Sequence, residues 1–547
     1  MLSTDYVLLD QYLGKAGIPV GYFPLVGYKL TLDTGSFALT GQTITLSAGR
    51  ELAADAGTFN LIGTAVTFRR TFILTADSGA FALNGTDVIL KAAHKLSLDS
   101  GTFELTGIDI ALKAARKLIP DSGAFALAGT DITFKRAYIF SVDSGSFGLL
   151  GTNVAFKRTY VLTAENGTFS LIGENVAFKA ARKISLDSGT FSLIGTDVTF
   201  KRTYILIPES GSFSLTGYEV TFERTYPLIA ESGSFSLTGT PVTFRRTYIL
   251  SVDSGSFTLT GANVGLSKGY ELLAGTGNFT LIGTDVTFEI TRKIILNSGI
   301  YNLTGTDITL KSARKLSLDS GAFTLTGMDL ALKAGRKISV DTGIYSLTGT
   351  PVDFKRTYVL SADAGNFTLT GSSAGLIKGY GFLAEAGNFT LTGTDIALRA
   401  ARKLSLDSGS FTLTGTDITL NLAHKLILDS GIFALTGTDL ALIADRKLSA
   451  DIGIFSLTGE PVGLERNYKL IAKEGIYSLT GTPVTLGRNY VLSLEPGIYI
   501  LNGTDIGLYW WMWNACRGYI IPAEDRNVII PYEDRVFAIP ACDNGGR

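Results

Sequence analysis

The sequence predicts an all-β repeat protein, on three observations. Two glycines six residues apart recur as Gly35/Gly41, Gly57/Gly63 and onward to Gly497/Gly503. The spacing is 22 residues without insertion or deletion: 462 residues separate Gly35 from Gly497, which is 21 intervals and so 22 copies. Within each copy apolar and polar residues alternate, the period of a strand with one buried face. A helix is the poor reading, because each interior glycine would cost it about 1 kcal/mol. The 547 residues would otherwise suggest three or four globular domains. The fixed period makes one repetitive object instead, with three parts: residues 1–28, an N-terminal cap or attachment segment; 29–505, the β-repeat; and 506–547, a tail of different character.

Numbering a copy from its first glycine as position 0, the copy Gly189–Ser210 reads GTFSLIGTDVTFKRTYILIPES. Positions 2 and 4 (Phe191, Leu193), 9 and 11 (Val198, Phe200) and 17 and 19 (Leu206, Pro208) are its candidate core. Three turn signals separate these pairs. The first is Asp187-Ser188-Gly189, where Gly is expected to take φ > 0 and Asp to cap nearby N–H groups. The second is Thr-Gly-Thr-Asp around Gly195, seen again at Thr392-Gly393-Thr394-Asp395. The third is the small residue at position 14, such as Ala115, Thr203 or Gly335. Corners at 6, 14 and 22 predict a three-sided coil.

Two architectures accommodate that pattern. In a β-solenoid, the favoured one, each copy makes one turn and stacks on the next about 4.8 Å away. Equivalent residues then lie over one another, and the absence of insertions follows. The alternative is an antiparallel β-spiral, a trimeric fibre in which Thr-Gly-Thr-Asp is a hairpin turn and each copy advances about 20 Å. Its Asp-Ser-Gly turn is awkward, since a three-residue loop pairs Leu186 with Thr190 and sets a polar residue on the apolar face.

Composition removes whole function classes. With 48 Lys+Arg against 49 Asp+Glu, the chain lacks the basic excess of a nucleic-acid binder. An apolar fraction of 45% is too high for disorder. No apolar run is long enough for a membrane-spanning helix, so membrane insertion is not expected. The N-terminal residues carry Asp5 and Asp10 and no basic region before their apolar ones, so no signal peptide is expected.

Chemistry within the repeats is sparse. Position 20 is Asp or Glu before 19 of the 22 copies, and position 8 is Asp in half of them. A carboxylate column invites structural calcium. Turn capping accounts for it better, since Asn297, Gly275 and Lys473 substitute there. The expectation is no cofactor and no metal. The Thr-Gly-Thr column suggests an ice-binding face, but only seven copies keep both threonines, and Ile194, Tyr218, Met328 and Glu460 interrupt it. His94 and His424 share position 15, where other copies carry Arg or Tyr, and read as surface substitutes. No catalytic motif stands out from the repeat background, so no enzyme is predicted. Tyr at position 15 (Tyr160, Tyr204, Tyr226, Tyr248, Tyr358) is a candidate ladder for a host surface glycan, or simply a cover for the repeat edge.

The tail holds every Trp, in Tyr509-Trp510-Trp511-Met512-Trp513. Clustered Trp and Met suggest a plug or anchor. A nine-residue repeat follows, Ile521-Pro522-Ala523-Glu524-Asp525-Arg526, then Ile530-Pro531-Tyr532-Glu533-Asp534-Arg535, then Ile539-Pro540-Ala541-Cys542, which reads as extended edge segments. Trp510, Trp511, Trp513, Cys516 and Cys542 are the anchor or cap candidates, with the two cysteines either bridged or free.

The repeated G-x-F-x-L-T-G, as in Gly365-Asn366-Phe367-Thr368-Leu369-Thr370-Gly371, resembles repeats in virion proteins of tailed bacteriophages. Ile521-Pro522-Ala523-Glu524-Asp525-Arg526 is similar to short repeats of the same class. The first likeness spans 35–503 and the second 520–542. The resemblance implies a fibre or decoration component assembled in the host cytoplasm and carried in the virion. Its expected partners are other virion proteins through a terminus, further copies of itself as a homotrimer or by lateral assembly, and a host surface glycan. The competing expectation is a bacterial surface adhesin or filament subunit, which would need an export signal or secretion domain.

Overall fold

The structure, a computed structural model, describes residues 22–23 and 29–509 apart from short stretches, with strand segments at 519–520 and 527–529. The described residues contain strands and turns and no helix. The chain divides into two compact units: residues up to 270 with 277–283, and residues 271–276 with 284 onward.

In the first unit every copy is one coil of a β-solenoid. Thr190–Phe200 forms one strand and Thr203–Pro208 another. The longer strand pairs in parallel and in register with Ser212–Phe222 of the next copy, Phe191 against Phe213 and Val198 against Val220. The offset is always one repeat, which is why an insertion anywhere would disrupt the register. Burial alternates as the sequence predicts, then changes parity. Phe191 and Leu193 are buried, Ile194, Thr196 and Asp197 are exposed, and Val198 and Phe200 are buried again. Val198 lies five positions after Leu193, an odd offset, so both can face inward only if the strand bends around Gly195. The backbone continues through this bend as one strand in some copies; in others it breaks, as between Ala80–Asn84 and Asp87–Leu90.

Stacking makes the core columnar. Phe147, Phe169, Phe191 and Phe213 stack at 4.6–4.9 Å between centroids, within 8° of coplanar. A second column, Phe134, Phe156, Phe178, Phe200, Phe222 and Phe244, runs at 4.5–4.8 Å. The third corner turns on an inward residue at position 14. Thr159, Thr203, Thr225 and Thr247 are buried there, and no partner accepts or donates to their hydroxyls.

The second unit repeats the parallel scheme. Tyr301, Phe323, Tyr345 and Phe367 stack at 4.7–5.0 Å. The column tilts by 52° at Phe367–Phe389 and 50° at Phe389–Phe411, where Phe382 meets both Phe389 and Phe411 edge-on. At its end the direction reverses: Asn527–Ile529 pairs antiparallel with Ile500–Asn502, and Tyr519–Ile520 with Gly507–Leu508.

Two expectations are corrected. The antiparallel spiral is excluded because repeat pairs with repeat in parallel, so Gly393-Thr394-Asp395 lies inside the continuous strand Asn388–Arg399 rather than in a hairpin turn. The corner glycines, moreover, are not there for left-handed backbone. Among the described residues only Gly35 has that conformation, with φ of 102°. Gly189 is required by close approach instead: a Cβ there would lie 2.5 Å from the carbonyl oxygen of Gly167 one coil away, and at Gly195 2.5 Å from that of Gly173. Real Cβ atoms do not come so near, so the coil spacing itself demands glycine.

Candidate binding surface

The predicted turn residues each find a place. At the Asp187-Ser188-Gly189 corner the hydrogen bonds run between coils. The Ser188 N–H and its hydroxyl both donate to the carbonyl of Glu165, at 2.7 and 2.9 Å. The same pair of bonds recurs at Ser78, Ser100, Ser144, Ser232 and Ser408. This serine ladder was not foreseen; its signal was the serine column at position 21.

The position-20 carboxylates form an acidic corner. Burial raises the carboxyl of Asp121 above its ordinary value, and Asp143 and Asp99 on adjoining coils raise it further. Asp341 is raised in the same way by burial and then by Asp363 and Asp319. The column is thus a source of repulsion. Among the described residues no three His, Cys, Asp or Glu side chains assemble as a metal-ligand group. The Thr-Gly-Thr corner presents an open trough lined by Leu150, Ile172 and Ile194, apolar where an ice-binding row would need threonine. Leu150 is 58% exposed.

The remaining corner differs from both. Positions 12 to 15 read Lys-Arg-Ala-Tyr at 135–138, Lys-Arg-Thr-Tyr at 157–160 and 201–204, Glu-Arg-Thr-Tyr at 223–226 and Arg-Arg-Thr-Tyr at 245–248. Register holds them in one row, since Ala137, Thr159, Ala181, Thr203, Thr225 and Thr247 pair in succession. Backbone bonds pin the corner: Ala137 N–H donates to Arg158 O, Thr203 N–H to Arg224 O and Thr225 N–H to Arg246 O. The tyrosines form the predicted outward ladder. Tyr138 stacks on Tyr160 at 4.8 Å, the Arg182 guanidinium lies 4.5 Å over the Tyr160 ring, and Tyr204, Tyr226 and Tyr248 stack at 5.1 and 4.6 Å. These contacts cover both faces of Tyr160 and Tyr226 and one face each of Tyr138, Tyr204 and Tyr248, so the ladder offers solvent chiefly its edges and hydroxyls.

Composition could not reveal this segregation. A neutral sum conceals a basic corner at positions 12 to 15 and an acidic one at position 20. His424, Trp510, Trp511, Trp513, Cys516 and Cys542 lie outside the described residues, as do the side chains of His94 and Tyr358. Comparison with protein-family models, with curated proteins and with solved structures returns no match.

Proposed function

We propose that this chain is a non-enzymatic structural component of a phage virion, of fibre or decoration type, attached through one terminus. The observation that carries the reading is the uniformity of the coils: in each unit parallel in-register pairing follows copy after copy. A repetitive β-stack stabilised between neighbours suits a mechanical or spacing role. The phage-like G-x-F-x-L-T-G repeats and the Ile-Pro-Ala-Glu-Asp-Arg tail give that role its setting. The tail is the attachment candidate, because its strands leave the repeat pattern and pair antiparallel with the last coil. Mass spectrometry and immunogold labelling of purified particles test the reading. The chain is expected in intact virions, and deletion of 506–547 is expected to abolish its incorporation. Its absence from purified particles would overturn the proposal.

A further inference from the structure

We propose that the Lys-Arg-x-Tyr corner of the first unit is a binding surface for a linear acidic polysaccharide bearing a carboxylate on each sugar, lying along the coil stack. The inference goes beyond the structural role and fails or stands independently of it. Four features of the corner argue for it. The position-13 arginines Arg136, Arg158, Arg202, Arg224 and Arg246 are exposed, and among the described residues none of them is in a salt bridge. A row of unpaired guanidinium groups is a natural partner for carboxylates, which they bind with two parallel hydrogen bonds. The row is also periodic: five of six successive coils carry the arginine, about one strand spacing, ~4.8 Å, from coil to coil. In the sixth, where Ala180 stands between Arg158 and Arg202, Arg182 supplies the cation from position 15. An extended hexuronate residue has nearly that length, so successive carboxylates meet successive coils. Beside the row, the tyrosine hydroxyls add donors and acceptors at the same period, with Tyr138 41%, Tyr204 47% and Tyr226 39% exposed.

The ladder's own geometry decides between a polyuronate and a single-stranded nucleic acid. Nucleic-acid platforms stack bases on open aromatic faces. Here both faces of Tyr160 and Tyr226, and one face each of Tyr138, Tyr204 and Tyr248, are already occupied by a neighbouring Tyr or by Arg182, at 4.5–5.1 Å. What remains open is a row of cations and hydroxyls, suited to carboxylates and sugar hydroxyls.

The repeat supplies the test variants. Ala114 and Ala180 already occupy position 13, so a coil tolerates alanine there. Phe72 occupies position 15 in another copy, so Tyr→Phe is equally compatible. Calorimetric titration of the full chain with polygalacturonate at low salt is expected to show binding that weakens steeply as salt rises. Neutral dextran is expected not to bind. The variant R136A/R158A/R202A/R224A/R246A is expected to bind polygalacturonate at least about tenfold more weakly, equivalent to about 1.4 kcal/mol. Y204F/Y226F is expected to weaken binding a few-fold, and K311A/K333A in the second unit to leave it unchanged. Circular dichroism of each variant separates lost binding from lost folding. Three results overturn the proposal: no polygalacturonate binding by the wild-type chain, equal binding by the five-alanine variant, or tighter binding of oligo-deoxythymidine than of polygalacturonate.

Discussion

The two units build the same coil from different side chains. In the first, position 11 is an unbroken phenylalanine column from Phe134 to Phe244. In the second it is chiefly leucine, at Leu310, Leu332, Leu398, Leu420 and Leu442, all buried. The backbone register is the same in both, so the coil needs a buried apolar side chain at that position, not a particular one. The outer corner varies with the core. Lys-Arg-x-Tyr sequences follow Phe134, Phe156, Phe200 and Phe354, whereas Leu310 and Leu332 are followed by Lys-Ser-Ala-Arg and Lys-Ala-Gly-Arg. The match runs one way: Lys-Arg-x-Tyr occurs only after phenylalanine, but Phe178 is followed by Lys-Ala-Ala-Arg, so phenylalanine alone does not specify the corner.

The largest expected effect should be common to both units. Gly189→Ala in the first and Gly387→Ala in the second each set a Cβ 2.5 Å from a neighbouring carbonyl oxygen. Overpacking against backbone is expected to cost about 3 kcal/mol at either site. Gly148→Ala is expected to be nearly neutral, its nearest atom being 4.0 Å away. Because a long repeat array has no single unfolding free energy, the effect is read as lost hydrogen-exchange protection in the affected coils. A cost at one unit only would show that the coils differ in spacing.

The aromatic column separates the units more finely. Phe200→Leu breaks two ring stacks, to Phe178 and Phe222, at 4.7 and 4.8 Å. With about 0.5–1.5 kcal/mol for each pair, the expected loss is about 2 kcal/mol. Phe354→Leu is expected to cost less than about 1.5 kcal/mol, because its register neighbours are Leu332 and Leu376 and no column is interrupted. Exchange protection of the two coils checks the ordering.

Much of this was legible in the sequence. The 22-residue period, the six core positions and the three corners follow from glycine spacing and alternation. Parallel stacking was not fixed by those signals, since Thr-Gly-Thr-Asp also suits a hairpin and alternation has no direction. The reason for the corner glycines was likewise hidden: a close approach between coils is a property of the stack, whereas turn chemistry is read within one copy. The binding corner was half visible. The Tyr column was apparent, but only the register shows that most of its ring faces are consumed and its arginines aligned.

A smaller effect belongs to the second unit. Tyr345 stands in the aromatic column, fully buried, and its hydroxyl has no partner. Burial drives its ionisation far above the ordinary range, so it stays neutral at any working pH. Tyr345→Phe is expected to stabilise that coil by about 1 kcal/mol, seen as increased exchange protection. No change would mean that the hydroxyl is satisfied in solution.

The smallest effect tests the acidic corner in both units. Asp121 and Asp341 have raised carboxyl pKa values, so the folded state holds their protons more tightly than the unfolded state does. Their contribution to stability is therefore greatest at low pH and is lost as pH rises from 3.8 through the folded value. Asp121→Asn and Asp341→Asn are expected to raise the thermal midpoint at pH 7 and to do so less near pH 3. A larger gain at the acidic end would reverse the sign and refute the repulsion.

The parallel coil itself is tested most directly by nitroxide labels at Thr168 and Thr190, exposed register partners one repeat apart, after Cys516 and Cys542 are replaced by serine. Electron paramagnetic resonance of T168C/T190C is predicted to show strong dipolar broadening, because the labelled backbones lie one strand spacing apart, about 4.8 Å. A separation near 20 Å without broadening, the advance of one repeat in an antiparallel spiral, would contradict the fold and everything built on it.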